Sequence, residues 1–163
     1  MSAIYETVHF ILRANPRPHV SRTDGGHLEI HPRQHTLHRW QFDVPRAQAL
    51  MRLSMLAGEA MITALNERGI PVERLNFQDN GNWGIGTPGG PRFHLHLYGR
   101  ARGSVHQKHG EALRFPLRDD FFAPANSPLE PLSDDDCRAI RVHIDRLGQD
   151  PRYHLSTWGI TED

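Results

Sequence analysis

The sequence predicts an α+β domain, in which strand-forming segments gather around one long helix. Three observations carry that expectation. Apolar residues recur at three- and four-residue intervals over a single stretch, Asp43 to Arg68, where Leu50, Leu53, Ala57, Met61 and Ala64 form one stripe. Elsewhere, short runs rich in β-formers or in alternating residues stand between turn signals. Two of these runs, "VERLNFQ" and "PRFHLHLYG", are separated by the turn-rich "DNGNWGIGTPGG", which makes them antiparallel neighbours.

Tyr5 to Asn15 reads as one strand, because its β-formers run unbroken until "NPRPH" stops them. After the polar turn "SRTDGG", His27 to Arg33 alternates briefly and ends at a proline, a second and shorter strand. Asp43 is the N-cap of the long helix, Pro45 is tolerated in its first turn and Gly69 stops it. Its stripe is core. From about Gly110 to Leu132 the chain is punctuated by prolines and reads as largely irregular. Then "SDDDCRAIRVHIDRLG" is a capped helix, with Ser133 as N-cap, acids in the first turn and Gly148 at its end. The closing "YHLSTWGI" reads as one more extended segment, and no internal repeat is present. The expected organisation is an α+β unit over residues 1–120 and a C-terminal helical extension, 121–163, packed on the same domain.

The 163 residues, 37% of them hydrophobic, suffice for one core. Formal charge is zero, from 19 basic and 19 acidic residues, which argues against the broad electropositive surface of a duplex-binding protein. Lys108 is the sole lysine, so the basic groups are almost all guanidinium forks, suited to phosphate. A single cysteine, Cys137, excludes an internal disulfide and a cysteine-based zinc cage. No apolar run reaches transmembrane length, and "MSAIYETVHF" lacks the pattern of a signal peptide. A cytoplasmic protein without a membrane partner is expected.

Strand alternation puts His94, His96 and Tyr98 on one face and Phe93, Leu95 and Leu97 on the other. The apolar row faces the helix. Neutral imidazole is a nucleophile near pH 7, so the polar row is either a catalytic pair of histidines or a set of rings on a solvated sheet face. The preceding loop offers Asn80, Asn82 and the backbone N–H groups of Gly84, Gly86, Gly89 and Gly90. It is either an anion-binding concavity or a flexible hairpin connection. It lacks the Lys-Ser/Thr ending of a P-loop. Arg92, Arg100 and Arg102 flank the strand, as phosphate contacts or as solvated charges. His31, His35 and His38 have a spacing that a helix would converge on a metal, but Pro32 argues against that helix, and a polar corner with no metal is expected. His9, His19, His106, His109, His143 and His154 have no readable partner and are expected to be surface or structural.

Taken in order, "GGHLEIHPRQH" from Gly25 to His35, the long helix, "DNGNWGIGTPGG" and "FHLHLYGR" resemble the histidine triad family over roughly residues 5–120. That family carries His-x-His-x-His after an Asn-containing, glycine-rich loop. The resemblance implies an antiparallel sheet, a homodimer, and a small-molecule nucleotide substrate attacked at its α-phosphate with no cofactor. It further implies His96 as nucleophile, His94 and His27 lining the phosphate site, Asn80 or Asn82 as the loop asparagine, and Gly89, Gly90 and Arg92 beside them. Tyr98 departs from the pattern, since most members have histidine there and some transferase branches glutamine. A phenol with a reference pKa of about 10 donates a hydrogen bond but is no cationic acid. The implied function is a nucleotide hydrolase or nucleotidyl transferase acting on a dinucleoside polyphosphate or phosphoramidate through a nucleotidyl-histidine. The alternatives are a nucleotide-binding module with little turnover and a metal-dependent protein using the His31 cluster.

Overall fold

Thr7 decides how the chain begins. Its Oγ1 accepts the backbone N–H of Phe10 at 2.9 Å and of His9 at 3.2 Å, and its own N–H bonds Phe10 O at 2.9 Å. This local turn breaks the single strand expected over Tyr5 to Asn15 into a hairpin of β1 (Tyr5–Glu6) and β2 (Phe10–Ala14). The computed structural model describes residues 3–123 and 128–161. The remaining principal elements are β3 (His27–Pro32), α1 (Val44–Glu67), β4 (Val72–Asp79), β5 (Leu95–Ala101), a short α2 (Arg118–Phe122) and α3 (Asp134–Leu147).

The five strands form one sheet in the order β1-β2-β3-β5-β4, with every neighbouring pair antiparallel. The α+β class expected from the sequence is therefore the one observed. Asp43 caps α1 by accepting the Arg46 N–H at 3.0 Å. Across the inner sheet face, Leu28, Ile30, Leu95 and Leu97 pack in one cluster with Leu53, Leu56, Ala57, Ala60, Met61 and Ala64 of α1. Each such leucine contributes about 1.5–3 kcal/mol by burial. Because alternate residues are committed to this core, the other row of β3 and β5 must face away from it.

That second row is covered as well. The loop between β2 and β3 folds over it and is tied down by Arg22, whose Nε donates to Asp136 Oδ2 at 2.6 Å and whose N–H reaches Glu130 O at 2.8 Å. Asp136 is fully buried, completes the Ser133 capping box of α3 and also receives Arg68 from the end of α1. The Arg22, Arg68 and Ser133 partners hold its carboxyl below the ordinary range in spite of burial. The loop's last turn passes so close to β5 that a Cβ on Gly25 or Gly99 would enter the other's backbone, and Gly25 adopts a φ of +126°.

One expectation changes at the C-terminal side. The stretch Gly110 to Leu132 is irregular apart from the short α2, and its residues 124–127 lie outside those described. The closing "YHLSTWGI" is not extended but forms two 3₁₀ turns, Pro151–Tyr153 and Leu155–Trp158. Asp150 accepts the Arg152 N–H at 2.9 Å with Pro151 fixing the first φ, and Tyr153 is buried with its hydroxyl on Glu59 at 2.7 Å. Leu132, Ile140, Ile144, Tyr153 and Ile160 join the α1 core cluster. Among the described residues, no helix is long and apolar enough to cross a membrane.

Candidate active site

The register of β3 on β5 sets His27 opposite Tyr98 and Glu29 opposite His96. His94 lies one residue before β5, where Phe93 N–H bonds Thr36 O at 2.8 Å, and its ring stacks on that of His31 with centroids 5.1 Å apart at 6°. His96 and Tyr98 stack likewise, at 5.2 Å and 9°. Above them, His19 descends from the β2–β3 loop, its ring 5.2 Å from His27 and 5.9 Å from His96.

The hydrogen bonds fix where the protons sit. The backbone N–H of His19 donates to His27 Nδ1 at 3.2 Å, so neutral His27 carries its proton on Nε2. That proton goes to His96 Nδ1 at 2.7 Å, and His96 in turn carries its own on Nε2, which is buried without a partner. His94 is the reverse case. Its Nδ1 stands 2.9 Å from the carbonyl of Arg92, which only accepts, so Nδ1 is the protonated nitrogen and Nε2 keeps its lone pair. Burial lowers the pKa values of His27 and His19, and that of His96 to about 3, so all three rings are neutral near pH 7.

Glu29 is the buried charge beneath these rings. Asn15 Nδ2 donates to its Oε1 at 2.6 Å and His31 Nε2 to its Oε2 at 2.7 Å. Burial opposes ionisation, but the hydrogen bond from His31 holds the carboxyl well below the usual range. Its Oε1 lies 3.7 Å from His27 Nε2 and 3.6 Å from His96 Nδ1, a two-nitrogen, one-oxygen set of the kind zinc accepts. The His27–His96 hydrogen bond and Asn15 engage those same atoms.

A cavity of about 570 Å³ opens over this face. His94, His96, Glu29, Asn80, Asn82, Gly90 and Arg92 line it, together with His19 and the aromatic wall of Trp83, Phe115, Phe121 and Phe122. Of the residues singled out from sequence, His27 and Tyr98 lie beneath the lining, 1% and 0% exposed. Gly89 is exposed and stands outside the lining, in the turn closed by Gly90 N–H on Thr87 O at 3.0 Å. The Tyr98 hydroxyl receives Asn80 Nδ2 at 3.1 Å and lies 2.9 Å from His19 Nδ1, while burial raises its pKa above the ordinary phenol range. His35 and His38 are exposed, and His31 belongs to β3 rather than a helix, so the three do not converge.

Glu29 and His19, two polar residues at the heart of the site, were not read from sequence. Glu29 was within reach, since 27, 29 and 31 alternate onto one strand face. His19 had no local signal, because the loop that carries it meets Tyr98 only in the fold.

No protein-family model and no curated protein sequence matches the chain. Solved structures do. A hypothetical histidine triad nucleotide-binding protein from Sulfolobus tokodaii strain 7 is 16% identical with a TM-score of 0.59, over 91% of this chain and 87% of that one. A zinc-bound histidine triad family protein from Mycobacterium smegmatis is 19% identical with a TM-score of 0.56, over 90% and 87%. A Hit-like protein involved in cell-cycle regulation from Bartonella henselae is 13% identical with a TM-score of 0.55, over 86% and 85%. At these identities what is shared is architecture: the chain has the histidine triad fold.

Proposed function

We propose that this protein binds a nucleoside 5′-phosphate derivative and transfers or hydrolyses its nucleotidyl group through a nucleotidyl-histidine. The observation that carries the reading is the pair of imidazoles at the cavity floor with opposite proton placement, a lone pair on His94 Nε2 and an N–H on His96 Nε2. Arg92 and the glycine-rich loop stand at the same cavity and supply cationic and N–H partners for phosphate oxygens. The resemblance gives the attack to His96. The hydrogen bonds favour the reverse, with His94 as nucleophile and His96 as donor to an oxygen on phosphorus, held in that tautomer by His27.

In this scheme the His94 Nε2 lone pair forms a P–N bond, and the bond from phosphorus to the leaving group breaks with its electron pair. Water or another acceptor then attacks phosphorus, and the P–N pair returns to His94. Adenylylated and guanylylated substrates, quenched without acid during turnover, test it by mass spectrometry. The adduct is expected on His94, absent in His94→Asn and present at a reduced rate in His96→Asn. An adduct on His96 returns the attack to that residue, and nucleotide binding without any adduct or turnover favours the binding-module alternative.

A homodimer is part of the same reading. Strand β4 is a sheet edge carrying Phe77 at 46% exposure, and Met51 and Met55 of α1 are also exposed. A second copy of this chain covering that edge and helix face removes both the open strand and the apolar surface from water.

A further inference from the structure

We infer that His19 is a catalytic residue, whose Nε2–H donates to the oxygen of a phosphate leaving group, with Tyr98 and Asn80 as its positioning residues. The inference rests on the nucleotide reading above and adds to it a residue and a leaving-group class. Asn80 Nδ2 donates to the Tyr98 hydroxyl oxygen at 3.1 Å, so the hydroxyl proton is directed to its other neighbour, His19 Nδ1, at 2.9 Å. A ring that accepts at Nδ1 carries its proton on Nε2. His19 is therefore a donor of fixed tautomer, and its ring is braced by Trp83, Phe115 and Phe121 at centroid distances of 5.2, 5.3 and 4.9 Å.

Position gives this donor its task. His19 lines the cavity over His94 and His96 and also a second cavity of about 430 Å³, so it stands on the boundary between the two. Arg17 lines both cavities too, and its Nε is buried without a hydrogen-bond partner. An N–H donor and a guanidinium with an unused N–H at one junction match an anionic group lying across it. With the α-phosphate over His94, the group that crosses toward the second cavity is the one that leaves.

The hydrogen-bond chain also selects what can leave. His19, His27 and His96 each accept at Nδ1, so none of the three is a cation in this arrangement, and these imidazoles offer only neutral N–H donors. A phosphate expelled from an anhydride needs only such hydrogen bonds, because its oxygen is stable as an anion. An amine expelled from a phosphoramidate needs a proton. When the anhydride bond breaks, its electron pair goes to the leaving phosphate oxygen, and His19 keeps its proton throughout.

Two measurements on the full-length chain test this. With the protein labelled with nitrogen-15, two-bond nitrogen–proton correlation is expected to show His19 protonated at Nε2, and addition of ADP or GDP, whose β-phosphate stands in for the leaving group, to shift that signal. In single-turnover kinetics, His19→Ala is expected to slow cleavage of diadenosine tetraphosphate by roughly a hundredfold. It should slow the p-nitrophenyl ester of AMP only a few-fold, because nitrophenolate departs without help. His19→Gln, which returns an N–H near the Nε2 position, should recover part of the loss. Equal losses with both substrates, or a nucleotide that shifts the glycine-rich loop but leaves His19 unmoved, overturns the role of His19 alone. No shift anywhere overturns the nucleotide reading and this inference with it.

Discussion

Acid should destabilise this protein well above the range in which carboxylates titrate, because its buried histidines cannot take up protons in place. His96 titrates ordinarily at 6.5 and in the fold at about 3. Its folded value is depressed, so between these limits the unfolded chain binds a proton that the native state refuses, and stability falls as pH falls below 6.5. At about pH 5 the unfolded form gains about 2 kcal/mol from this one residue. His27 is lowered in the same direction by burial and acts with the same sign. The His96 contribution of about 2 kcal/mol alone is a sizeable share of the 5–15 kcal/mol that typically separates native from unfolded chains.

Glu29 does not confuse this window. Its folded value is also depressed, and its contribution is lost only below its ordinary 4.5. Urea denaturation followed by far-UV circular dichroism from pH 7.5 to 5 reads the effect. Near pH 5.5 His96 alone should contribute a slope approaching one proton, about 1.4 kcal/mol per pH unit, and the measured slope should fall by about that amount in His96→Asn, whose amide oxygen still accepts from His27. Stability at pH 5 within about 0.5 kcal/mol of the neutral value would refute the assignment of His96 as a neutral, proton-refusing ring, as would an unchanged slope in the variant.

Other outcomes follow from the same contacts. Tyr98→Phe strips the hydroxyl from between Asn80 and His19 and should cost about 1–3 kcal/mol of stability, read by thermal unfolding. At matched folded fraction it should slow anhydride cleavage roughly tenfold while changing AMP affinity little, because its effect passes through the His19 tautomer. Tyr98→His with the same rate profile as Tyr98→Phe would mean that a ring at 98 does not reach phosphorus. Sedimentation at micromolar concentration should show a dimer that Phe77→Glu dissociates without loss of helical content; a monomeric wild type counts against the β4 edge as interface.

Periodicity carried the fold because the apolar stripe of α1 and the alternation of β3 and β5 are local facts that tertiary structure kept. Where side chains act on the backbone nearby, the reading slipped: Thr7 turned one strand into a hairpin, and Asp150 with Pro151 turned an extended tail into 3₁₀ turns. The candidate site was legible in part for a similar reason. Alternation places His94, His96 and Tyr98 on a common face but says nothing of depth, and depth separates His96 at the cavity floor from Tyr98 beneath it. The aromatic wall was invisible, since Phe115 and Phe121 sit in a proline-punctuated stretch without periodicity and meet Trp83 only through folding.

Four imidazoles in one face would be chemically interchangeable if sequence alone assigned their roles. What differentiates them is the partner of a single atom, Nδ1. At His94 that partner is the carbonyl of Arg92, which draws the proton and leaves Nε2 a base. At His27 it is a backbone N–H, at His96 the Nε2–H of His27, and at His19 the hydroxyl of Tyr98, each of which pushes the proton to the far nitrogen. The tyrosine that departs from the triad pattern therefore need not mark lost chemistry. It converts a loop histidine into a fixed donor, and through the N–H of that same residue the loop also sets His27 and His96. A neutral, pre-set array of this kind costs no reorganisation when charge develops on a departing phosphate, and it offers nothing to a leaving group that must be protonated.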